Sequence, residues 1–142
     1  MATLTGLLLA APWVEDLCAP LAEALADRIG RSIGAFVVLL SGALALGLAA
    51  VVPGTVPLVL LVLLFFVCAT GVTVTLVAEA GLGGPRSVAS CVTASDLGAA
   101  AGPLLGWAAP QWGLPTETAL ALGSVLYALA AVTALPGLGT GR

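Results

Sequence analysis

The sequence predicts an all-α fold, a polytopic membrane helix bundle of about five transmembrane helices, and three observations carry that expectation. Of 142 residues, 61% are hydrophobic and only 8% charged, whereas roughly a quarter of the residues in a soluble domain carry charge. Residues 32–78 contain no charge at all, a stretch long enough for two bilayer crossings at about 20 residues each. The apolar residues come in unbroken runs, as at 37–40 and 56–67. A membrane β-barrel strand would instead alternate apolar and polar residues. The mean hydropathy of +1.20 summarises the same bias.

Glycines, prolines and charges divide the chain, read as one membrane domain over 1–142, into apolar blocks at about 3–26, 34–52, 56–78, 87–109 and 116–135. Each is near the length that crosses a bilayer as a helix. The first block has no basic residue before Arg28, so it lacks the charged start of a secretory signal and reads as a mature helix. The remaining blocks follow one another through connections at 27–33, 53–55, 79–86 and 110–115, each with a Gly or Pro breaker. Connections that short make consecutive helices antiparallel. Arg28, Arg31, Arg86 and Arg142 then all fall on one side. Cytoplasmic loops are enriched in arginine, which predicts a cytoplasmic C-terminus and an external N-terminus in the cell membrane. Five spans with an external start suggest that one preceding helix is missing.

The connection after the first block reads Glu23-Ala24-Leu25-Ala26-Asp27-Arg28-Ile29-Gly30-Arg31-Ser32. Asp27 and Arg28 stand where a helix ends and can cap or pair with neighbouring ends, and Gly30 permits the turn. In the fourth block, Gly98, Gly102 and Gly106 recur every four residues. They form a seam without side chains along which a neighbouring helix can approach closely. Pro103 removes the hydrogen bond to the Ala99 carbonyl and should kink the helix.

These two segments resemble signatures of the major facilitator superfamily of transporters. The first resembles the G-x-L-a-D-R-x-G-R loop signature over Leu25 to Arg31, with Glu23 in place of its first glycine and Ser32 in place of a final basic residue. The second, Gly98 to Trp107, resembles the family's G-x-x-x-G-P-x-x-G-G element, with Trp107 in place of the last glycine. They occur in the expected order, two helices apart. The resemblance covers nearly the whole chain and implies either helices two to six or helices eight to twelve of a twelve-helix transporter, with the second placement favoured. Residues 56–78 lack the arginine common in the fourth helix of drug exporters, and Pro85-Arg86-Ser87 resembles the lead-in to the eleventh helix.

Ionisable groups within membrane helices cost several kcal/mol unless they face a cavity or a partner. Glu15, Asp16 and Asp96 are therefore the candidate substrate or proton-pathway residues. Asp16, Pro20, Glu23 and Asp27 share one helical stripe, expected to line an aqueous path, whereas Glu15 shares a face with Ala11, Ala19, Ala22 and Ala26. Desolvation would raise the pKa of such a carboxyl towards values useful for proton coupling. The competing reading puts Glu15 and Asp16 in an interfacial turn after Pro12 and Trp13. Asp96 shares a stripe with Ala100, Pro103 and Trp107, roughly opposite Gly98 and Gly102, and requires either a cavity, another helix, or a hydrogen bond to Thr93 or Ser95.

The net charge of −3, with four arginines and no lysine, argues against nucleic acid as a partner, since phosphate neutralisation needs clustered bases. Cys18, Cys68 and Cys91 are widely spaced and there is no histidine, so no metal site is expected and the cysteines read as small packing residues. No nucleophile has a base beside it and no phosphate loop follows a strand, so neither enzyme activity nor a cofactor is expected. The expected partners are the lipid bilayer, an unidentified small-molecule substrate, and either a missing N-terminal half or a second copy of the chain. The alternatives are a small dimerising multidrug exporter, with Glu15 as its membrane carboxylate, and an accessory or structural multi-span protein.

Overall fold

A computed structural model describes residues 30–134, together with Pro20, Ala24 and Arg28. Four helices occupy the continuous part: α1 (Arg31–Val51), α2 (Thr55–Leu82), α3 (Pro85–Gln111) and α4 (Thr116–Ala134). All four are long and apolar enough to cross a membrane. The protein is thus a helical membrane bundle over the described residues. The span expected at 3–26 lies outside them except for Pro20 and Ala24, which are helical and exposed, as is Arg28 just after it.

The helix ends follow local chemistry. Val52 is extended, at φ −81° and ψ 121°, as expected of a residue crowded by a following proline, and α1 stops there. α2 runs to Leu82, four residues beyond the expected end of its block at 78. Glu79 continues a helix readily, so the break waits for Gly83-Gly84. Pro85 then occupies the first turn of α3, where its missing N–H costs nothing. The positive-φ residues among those described are Gly30, Gly54, Gly84 and Gly113, and each marks a boundary between helical segments.

The packing is organised around α1, which lies against both α2 and α4. Ser32 Oγ donates to the Ala134 carbonyl at 2.7 Å, and Ser124 Oγ donates to the Ala43 carbonyl at 2.7 Å. The start of α1 therefore meets the end of α4, and the pair is antiparallel. Gly42 faces the Tyr127 ring, Gly47 faces Ser124, and Gly123 faces Leu46. Small residues permit this approach where lipid gives no hydrophobic drive between helices. α2 joins through Cys68, beside Gly42, and through Phe65, whose ring meets Tyr127 edge-on at 5.0 Å.

α3 departs from this arrangement. It has no buried residue and meets its neighbours sparsely. Leu97, Leu104 and Trp107 on it are 66%, 66% and 71% exposed. By contrast, Leu39, Ala43, Ala45, Leu46 and Ala49 of α1 supply most of the buried core, with Cys68 and Ala80 of α2 and Ala131 of α4.

Candidate functional site between α2 and α3

α2 and α3 are joined by a turn so short that their ends must touch. A Cβ placed on Gly83 would come within 2.8 Å of Ser87 Cβ and Oγ. Beyond the turn the two helices enclose a groove of about 770 Å³. Its α2 wall carries Thr73, Val77 and Ala80, and its α3 wall Ser87, Cys91 and Ala94. Each set recurs at helical spacing, so each wall is one face of its helix. Glu79 and Asp96 complete the charged part of the lining, which contains no basic residue.

Asp96 is the predicted site residue for which the structure provides an environment. It is exposed on α3 and borders the groove. Thr93, one of its expected hydrogen-bond partners, instead donates to the Ala89 carbonyl at 2.9 Å. Thr73 likewise donates to the Ala69 carbonyl, at 3.0 Å. The Thr73 and Thr93 hydroxyls are thus satisfied on their own helices rather than by Asp96, which is the charged group that α3 contributes to the groove.

The other predicted residues divide. Glu15, Asp16 and Asp27 lie outside the described residues. Arg28 is helical and exposed, and Arg31 opens α1. Gly30 between them has φ 90°, a conformation that makes glycine the natural choice for the turn. Gly98, Gly102 and Gly106 face open space, with nothing within 4 Å of a Cβ built on any of them. No described helix occupies that seam. α3 runs as one helix through Pro103 and Pro110.

The seam used within the chain is a different one, in which Gly42 and Gly47 of α1 face Tyr127 and Ser124 of α4 and Gly123 of α4 faces Leu46. Its signal was the Gly42-Ala43 and Gly123-Ser124 pairs, less regular than the four-residue spacing on α3. Cys68 packs in the core as expected, whereas Cys91 is half-buried on the groove wall. Ser87 and Ser90 also belong to the groove. Their small polar side chains, in the same half of the helix as Thr93, Ser95 and Asp96, were the available sign.

A second hollow of about 560 Å³ lies at the opposite end of the bundle, among Val52, Pro53, Leu58 and Glu117. Among the described residues no three potential metal ligands gather. No protein-family model matches the chain, and no curated protein or solved structure is significantly similar to it.

Proposed function

We propose that this chain is one helical bundle of a secondary transporter of the major facilitator type, moving a small solute across the cell membrane together with a second bundle. The observation that carries the reading is α3. It is long enough to span a bilayer, buries none of its residues, leaves a glycine seam open and holds an ionisable Asp96 beside a groove. A helix with that composition is suited to protein and water rather than lipid on those sides. Asp27, Arg28, Gly30 and Arg31 support the family assignment through their resemblance to its loop signature. In this reading the arginine end is cytoplasmic, the N-terminus is external, and Asp16 and Asp96 serve proton or substrate passage. Alternating access needs two bundles moving about a central site, supplied by another half or by a second copy.

The open seam also suits an accessory protein that assembles with a larger membrane complex without moving solute. One experiment separates the two. A photo-crosslinking residue at Gly102 should join the chain to a second bundle in native membranes. Vesicles from those membranes should show gradient-driven solute uptake that Asp96→Asn abolishes. Crosslinking with uptake indifferent to Asp96→Asn would favour the accessory role. A chain that neither crosslinks nor supports uptake would overturn the transporter reading.

A further inference from the structure

The groove between α2 and α3 has a volume within the roughly 300–1,000 Å³ of small-molecule sites. Its walls are largely apolar, contributed by Leu76, Val77, Ala80, Val92 and Ala94. Against that background stands the carboxylate of Asp96, with no basic side chain in the lining. The hydroxyl of Thr73 is already committed to its own helix, and Asp96 is the one charged group that α3 contributes to the lining. A carboxylate at membrane depth is costly without a counter-charge, and no described side chain supplies one to Asp96.

We propose that this groove binds a lipophilic organic cation, with its charge against Asp96 and its apolar body against the α2 and α3 walls. Charge complementarity selects the ligand class. An anion would meet only like charge, and an uncharged compound would leave the carboxylate unpaired. Lateral access between the diverging helices allows such a cation to enter from the bilayer, where apolar cations concentrate. The proposal deepens the transporter reading and rests on it only in treating the cation as cargo.

The test uses the full chain in detergent or nanodiscs, with tetraphenylphosphonium as probe and equilibrium dialysis as readout. Asp96→Asn should weaken binding by about tenfold or more, since it removes the counter-charge in a low-dielectric site. Asp96→Glu should retain most of the affinity. Ala94→Trp should block binding by filling the groove, while Leu105→Trp, away from it, should leave binding unchanged. In a Cys18→Ala, Cys68→Ala background, the probe should slow maleimide labelling of Cys91. Helix content and elution volume confirm that each variant remains folded. Equal binding by wild type and Asp96→Asn would overturn the proposal. So would a Cys91 that resists labelling without the cation, the behaviour expected if another segment or a second copy fills the groove. Binding is measured without transport, so a failed uptake experiment leaves this result standing, and a failed binding experiment leaves the two-bundle transporter open.

Discussion

Gly42→Ala tests whether the α1–α4 contact is the tight joint of the bundle. A Cβ at Gly42 would stand 3.0 Å from Tyr127 Cδ1, 3.2 Å from Cε1 and 3.4 Å from Cys68 Cβ. All three are closer than the roughly 3.5–4.0 Å at which carbon atoms attract best, the two Tyr127 contacts by the larger margin. Tyr127 is held in turn by the Phe65 ring, edge-on at 64°, so its ring cannot swing aside without losing that contact. Overpacking of this kind costs about 1–3 kcal/mol. Alanine recovers about 1 kcal/mol over glycine in helix propensity. The net loss expected is therefore about 0–2 kcal/mol. Gly102→Ala supplies the reference, because its Cβ meets nothing within 4 Å and should gain up to about 1 kcal/mol from propensity alone. The difference between the two substitutions isolates the clash, at about 1–3 kcal/mol. Reversible unfolding in mixed micelles, followed by helix circular dichroism, measures both. In a Tyr127→Ala background the difference should vanish. Equal effects of Gly42→Ala and Gly102→Ala, or a difference that survives Tyr127→Ala, would refute the reasoning.

Three other outcomes follow from the same geometry. Ser124→Ala removes the 2.7 Å bond to the Ala43 carbonyl and should cost about 0.6 kcal/mol, and at most about 1.7, in the same unfolding measurement. Gly54 holds φ 110° and ψ 143°, so Gly54→Ala should lose about 1–3 kcal/mol through backbone strain; a neutral result would show that the connection relaxes freely. In intact cells carrying a cysteine-free background, an impermeant thiol reagent should label Thr55→Cys and Leu114→Cys but not Leu82→Cys, because the first two lie at the end opposite the arginines. The reverse pattern would invert the proposed orientation.

The existence and order of the four described helices were legible because periodicity matters little in lipid: uninterrupted apolar length is enough. Their boundaries were legible wherever a glycine or proline enforced them, as at Val52-Pro53-Gly54. α2 runs past the boundary expected at 78 because Glu79, whose charge marks a block edge in the sequence, propagates a helix well. The choice of seam was less legible. Gly98, Gly102 and Gly106 have the more regular spacing, yet Gly42 and Gly47 are in contact. Spacing reports only that a helix face is smooth. Which smooth face is occupied depends on which helix the connections bring alongside, and α1 has two neighbours within reach whereas α3 diverges from both of its own. Asp96 was identified from its cost in lipid. The groove that receives it depends on the divergence of α2 and α3, which no local pattern encodes.

Helix length links that divergence to the site. α2 and α3 have 28 and 27 residues, against 21 and 19 for α1 and α4. At 1.5 Å per residue the longer pair measures about 40 Å, some 10 Å more than the hydrocarbon core. Such helices must tilt or project beyond the core. α1 and α4 are locked together by small-residue contact and by hydrogen bonds at both Ser32 and Ser124, so the α2–α3 hairpin is the part that must accommodate the excess. Its turn at Gly83-Gly84 lies at the arginine end, because α2 runs antiparallel to α1. Glu79 and Ser87 therefore lie towards the headgroups, while Asp96, about 16 Å along α3 from Pro85, lies deeper. The groove thus leads from the interface into the membrane, with a carboxylate near each end.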